Sequence, residues 1–175
     1  AWSSPYRQKG PFHKSNQSVK VDRGGPVWVA EDLKVYIGEI QVLKNEIKVS
    51  SYFLDLSGHF PGVAYVLGSK ALGKAWFLGG YEGRDCFAEK ALSRITCDKF
   101  AESIVMTEEE GPLHLSNQVL SVAGLNLISD FKLAKEILSP WGYKHRFYIP
   151  KDGNDIQKKC EINRHYIENK CFNKN

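Results

Sequence analysis

Through the first two thirds of the chain the apolar residues fall in short runs punctuated by glycine, proline and small polar residues, which predicts strands joined by turns. Val27-Trp28-Val29 follows Gly24-Gly25-Pro26 and reads as a short strand. Over residues 34–43, Val35 and Ile37 alternate with Tyr36, Ile40 and Val42, an imperfect period of two. Lys44-Asn45-Glu46 then offers turn chemistry before a β-rich run from Ile47 to Leu56, so the two runs are expected to pair as a hairpin. Val63 to Leu67 and Ala75 to Leu78 extend the meander on either side of Gly68-Ser69-Lys70-Ala71-Leu72-Gly73. Ile95 to Thr107 is strand-like until Glu108-Glu109-Glu110-Gly111-Pro112 stops it.

The pattern changes after Ser129-Asp130, where Phe131 to Leu138 repeats its apolar positions at three and four and predicts a capped helix ended by Ser139-Pro140. Further helices are expected from Asp85 to about Arg94 and from Asp155 through Asn169, while Val119 to Leu127 fits either state. The predicted fold is α+β: a mostly antiparallel β-meander in the first two thirds, with helices packed on it from the second half and no βαβ rhythm.

With 175 residues, 42% of them hydrophobic, the chain can bury roughly two thirds of its unfolded surface in one core, so residues 1–175 are expected to form a single domain. No stretch approaches the about 20 apolar residues that span a bilayer. Charge is unevenly spread: residues 1–24 hold five basic and one acidic side chain, and residues 143–175 hold eight and four. Residues 1–25 thus read as a basic irregular arm and 151–175 as a polar tail. The lysines are scattered and form no dense cluster, which argues against nucleic acid as the partner.

Cys86 and Cys97 are separated by the same interval as Cys160 and Cys171, and an even cysteine set in a small chain favours an oxidising compartment, periplasmic or secreted. Pairing within each interval is expected and requires a turn inside it, because a straight helix would hold the two sulfurs about 16 Å apart against the Cα limit of about 7 Å. The Cys160–Cys171 bridge would pin the C-terminal tail. Cys160, His165 and Cys171 offer zinc donors, but no close C-x2-C pair accompanies them, so no metal is expected. Asn16-Gln17-Ser18 is a glycosylation sequon, meaningful only in a eukaryotic secretory pathway.

The segment Gly68 to Lys74 satisfies G-x-x-x-x-G-K, yet Ala75 occupies the position where a hydroxyl would hold magnesium, so it reads as a glycine-closed hairpin loop and no cofactor is assigned. Two pairings of imidazole with carboxylate stand out: Asp55 with His59 around Ser57-Gly58, and Glu110 with His114 across a Gly-Pro turn. Neither belongs to a recognised catalytic motif. Candidate contact residues lie in the loop holding Tyr81, Glu82, Arg84 and Asp85, in the acidic turn Glu108-Glu109-Glu110, and in the aromatic and basic stretch containing Trp141, Tyr143 and Arg146. The sequence therefore predicts an extracytoplasmic, non-enzymatic module that binds another protein, such as an inhibitor or toxin-neutralising immunity protein. The alternatives are a small secreted hydrolase using a His/carboxylate pair and an anion or nucleic-acid binder using the basic termini.

Overall fold

The computed structural model describes residues 17–21, 24–47, 51–108 and 110–164. β1 (Gln17–Val21) and β2 (Gly25–Val29) form an antiparallel hairpin that opens the described chain, so the expected arm is partly strand, and Asn16 lies outside the described residues. α1 (Glu31–Glu46) follows, where a strand was expected. The decisive pattern is the stripe Leu33, Tyr36, Ile37, Ile40 and Leu43, spaced for one helical face and packed inward, while Val35 and Val42 point to solvent. Glu31 and Asp32 in the first turn and Lys44 in the last complement the helix dipole.

The main sheet runs in the order β4-β3-β5-β7-β6. β3 (Tyr52–Asp55) pairs in parallel with both β4 (Lys70–Ala71) and β5 (Ser103–Glu108). Parallel neighbours require crossovers. α2 (Gly62–Leu67) supplies the first, and α3 (Arg84–Leu92) with α4 (Cys97–Ala101) supplies the second. The expected meander followed by helices is thus corrected to an α+β domain in which strands and helices interleave throughout. Val63, Val66 and Leu67 are buried at helical spacing, so this run is helix, and it ends at left-handed Gly68. Lys70–Ala71 then pairs at a sheet edge, which removes the expected hairpin loop. The long run from Ile95 divides into α4 and β5.

After a 3-10 helix over Asn117–Ala123 come α5 (Leu127–Asp130), β6 (Phe131–Leu138), β7 (Lys144–Pro150) and α6 (Gly153–Arg164). Phe131 to Leu138 was expected to be helix. It pairs with β7 from Phe131↔Pro150 to Leu138↔Lys144, with an irregularity between Leu133 and Lys135, and the long ladder outweighs the local periodicity. Asn126, not Ser129-Asp130, caps the preceding helical turn by accepting from the N–H groups of Ile128 and Ser129.

Alternation along the strands divides the core between the two faces of the sheet. Leu54, Val105 and Tyr148 join a cluster with Leu92 of α3, Phe100 of α4 and Ile156 of α6. Phe53, Ile104, Met106 and Phe147 join a second cluster with Tyr36, Ile40 and Leu43 of α1 and Val63 of α2.

Cys97 of α4 is bridged to Cys160 of α6, with Cα atoms 5.6 Å apart and a sequence separation of 63. This replaces the two expected local pairings. Both residues sit in the core where α4 and α6 pack, so tertiary docking and not sequence spacing selects the partner. A loop of that length stabilises the fold by about 4 kcal/mol in the chain-entropy model. Cys86 is also disulfide-bonded, and Cys171 lies outside the described residues.

Candidate metal centre

The α1 side of the sheet carries a polar cluster in an otherwise apolar layer. Asp55 ends β3 and Glu108 ends β5, so both lie at the carboxyl ends of parallel strands, where open sheets commonly place their sites. His145 stands opposite Glu108 in the antiparallel register of β5 and β7. Asp55, Glu108 and His145 continue the strand faces that bury Phe53, Met106 and Phe147. His59 enters from the loop between β3 and α2.

Asp55 builds that loop. Its Oδ1 accepts from the Ser57 N–H at 2.8 Å and the Ser57 hydroxyl at 2.5 Å, and its Oδ2 accepts from the Phe60 N–H at 3.0 Å. Burial pushes the Asp55 carboxyl above its ordinary range, opposed by these hydrogen bonds and by His145. Gly58 turns the chain with φ 82°, and a β-carbon there would lie 1.9 Å from the Leu113 carbonyl oxygen. The turn aims His59 inward.

His59 Nδ1 lies 3.0 Å from the Ser57 carbonyl oxygen, which only accepts, so Nδ1 carries a proton. Its Nε2 lies 3.5 Å from Glu108 Oε2, with the two side chains 8% and 0% exposed. Burial holds the His59 imidazole below its ordinary value, against the pull of Glu108. A neutral His59 therefore turns a nitrogen lone pair towards a carboxylate. The same Oε2 lies 2.7 Å from His145 Nε2, and His145 Nδ1 meets the Tyr36 hydroxyl at 2.5 Å. Burial, then Asp55 and Glu108, push the Tyr36 phenol well above its ordinary range, which keeps the hydroxyl protonated. Phe60 packs edge-on to both His145 and Trp141, each at 4.6 Å between ring centroids, and screens the cluster from water.

One ligand atom from each of His59, Glu108 and His145 lies within 4.8 Å of the other two. Two imidazoles and a carboxylate form a donor set known from catalytic zinc sites, in which a fourth position stays open. At metal–ligand bonds of about 2.1 Å, tetrahedral ligand atoms stand about 3.4 Å apart. The His59–Glu108 distance matches, whereas the 2.7 Å His145–Glu108 contact is shorter and would have to widen for a cation to take the place of the proton. Each histidine also has the outer partner that orients a metal ligand: the Ser57 carbonyl for His59 and the Tyr36 hydroxyl for His145. The hydroxyl both donates and accepts, so it serves either tautomer of His145.

These residues overturn the expectation that the chain has no reaction centre. Asp55 and His59 do share a site, but Asp55 holds the loop while Glu108 faces the imidazole. Glu110 is exposed, and His114 Nδ1 donates to the Gly111 carbonyl at 2.5 Å. His114 nevertheless borders a 240 Å³ cavity also lined by Thr107, Glu108, Ser116 and Asn117. Glu108 is buried and so leaves the expected acidic surface, while Glu109 lies outside the described residues. Tyr81 and Glu82 are exposed and Arg84 is half-buried. Asp85 accepts from the Ser116 N–H at 3.0 Å, a structural task. Trp141 packs on the site, Tyr143 is half-buried at the β6–β7 turn, and Arg146 pairs with Glu136 at 2.9 Å. His145 and Tyr36 are the residues sequence reasoning missed. His145 alternates with Phe147 along β7, a signal that could have found it, whereas Tyr36 was hidden in an apolar stripe.

No protein-family model, curated protein or solved structure matches the chain. Class and function therefore rest on the fold and the site: a small α+β domain with a buried His/His/Glu cluster able to bind a metal or act catalytically.

Proposed function

We propose that this domain is a hydrolase whose reaction centre holds a divalent cation of zinc type on His59, Glu108 and His145. The observation that carries this reading is the convergence in a buried site of one ligand atom from each of His59, Glu108 and His145, all within 4.8 Å of one another, with the Ser57 carbonyl orienting the His59 ring. A cation held among them would pair the buried Glu108 carboxylate with two imidazole donors. When bound, such an ion acts as a Lewis acid on a carbonyl or phosphoryl oxygen. The chain's own groups then have separate tasks. Asp55 holds the His59 loop, Tyr36 orients His145, and Phe60 and Trp141 exclude water. The 240 Å³ cavity beside Glu108 supplies the approach for a small polar substrate, with the Thr107 hydroxyl, which lacks a partner among the described residues, and Ser116 on its wall.

The oxidised Cys97–Cys160 pair is consistent with a non-cytoplasmic, oxidising setting and supports a periplasmic or secreted location as part of this proposal. The test is titration of chelator-stripped protein with Zn2+ and Co2+, followed by assay against chromogenic ester, amide and phosphoester substrates. One equivalent should bind, with a tetrahedral cobalt spectrum and hydrolysis that chelator removes. His59→Ala and His145→Ala should each abolish both. Failure of the folded wild-type protein to bind either ion near stoichiometry would overturn the proposal.

A further inference from the structure

A second candidate site lies on the opposite side of the sheet. Phe87, Lys90, Ala91 and Arg94 recur at spacings of three, one and three, so they share one stripe along α3 and its C-terminal extension. Gly73 and Lys74, just beyond β4, face this stripe, and the six residues enclose a cavity of 260 Å³. Among the described residues its lining holds Lys74, Lys90 and Arg94, no carboxylate, and an apolar wall made by Phe87 and Ala91. Gly73 adopts φ 82°, and a β-carbon there would come within 3.2 Å of Phe77 and 3.4 Å of Leu92, so glycine permits the close approach of this loop to the helix.

Lys90 and Arg94 also complement the negative end of the α3 dipole, which alone would account for those two. It does not account for Lys74, which arrives from a different element, or for the concave shape. Cations lining one cavity from two elements, Lys74 from the loop and Arg94 with Lys90 from the helix, match a polyvalent oxyanion, and the aromatic wall matches an organic group attached to it. We infer that this cavity binds a phosphate-bearing ligand. The mode differs from a phosphate loop: residues after Lys74 do not open a helix, so no helix N-terminus cradles the anion and the side chains do the binding. The inference stands independently of the metal centre.

Calorimetric titration with pyrophosphate and phenyl phosphate tests it, alongside flotation with phosphatidylglycerol vesicles to distinguish a soluble phosphate from a lipid headgroup. Lys74→Ala and Arg94→Ala should each weaken binding about tenfold, the loss of one charge-assisted hydrogen bond. Lys132→Ala, which removes the same charge from exposed β6, should leave it unchanged. Phe87→Ala should weaken phenyl phosphate more than pyrophosphate. Vesicle binding with the same variant pattern would identify a lipid phosphate as the source and uphold the site. Absence of binding to every probe at millimolar concentration, equal loss in Lys132→Ala, or binding confined to an oligonucleotide control would each overturn it. Zinc affinity is measured on the same variants and should not change.

Discussion

Glu108 and His145 face each other directly across the antiparallel β5–β7 ladder, and their side chains meet with Oε2 2.7 Å from Nε2. Register alone makes this contact, because a one-residue slip would turn His145 to the other face of the sheet. Glu108→Ala leaves the buried His145 nitrogen without its acceptor and should cost about 1–3 kcal/mol in urea denaturation. Glu108→Gln keeps an acceptor oxygen and should cost less, while still abolishing metal binding. Equal costs for the two variants would show that the hydrogen bond contributes little.

Tyr36→Phe removes the outer partner of His145 without opening the core. Zinc affinity should fall about 10–100-fold, the usual effect of losing such a partner. Competition with a chromophoric chelator measures it. An unchanged affinity would mean that Tyr36 does not orient the ligand.

Gly58→Ala places a β-carbon against the Leu113 carbonyl at a left-handed position, so the strain should cost about 1–3 kcal/mol. The His59 loop must shift to relieve it. We expect the cobalt spectrum to lose tetrahedral intensity while circular dichroism keeps its native form. A native spectrum at full affinity would contradict the role assigned to this turn.

Asp130 accepts from Lys159 at 2.6 Å, tying α6 to the end of α5. Burial raises its carboxyl, but the Lys159 hydrogen bond and then the Asn126 N–H outweigh that and hold it below the ordinary range. A depressed carboxylate stabilises the fold above its unfolded value, near 3.8, and that contribution disappears as pH falls through the folded value. Lys159→Met should therefore lower stability at neutral pH by about 0.2–1 kcal/mol, as for exposed pairs, and the difference should shrink as the pH falls below 3.8. Thermal melts across this range decide it, and a difference that widens in acid would refute the assignment.

Local physical chemistry in the chain was enough for several features. It placed a helix near residues 85–94, a strand at Val27 to Val29, and the oxidation of Cys97 and Cys160. It also singled out His59 and the Glu108 turn as chemistry-bearing, but in separate pairings. Tertiary structure decided the rest. Residues 131–138 carry an apolar pattern short enough to serve either period, and pairing with β7 made them a strand, whereas in residues 31–46 the helical stripe from Leu33 to Leu43 was masked by the exposed Val35 and Val42, which mimic alternation. Cys97 found Cys160 because α4 docks on α6. The site itself has no sequence signature: Tyr36, His59, Glu108 and His145 are scattered through the chain and meet only where the carboxyl ends of parallel strands lie beside an antiparallel neighbour. Periodicity records which way a side chain faces along its own element, whereas long-range pairing determines what it faces.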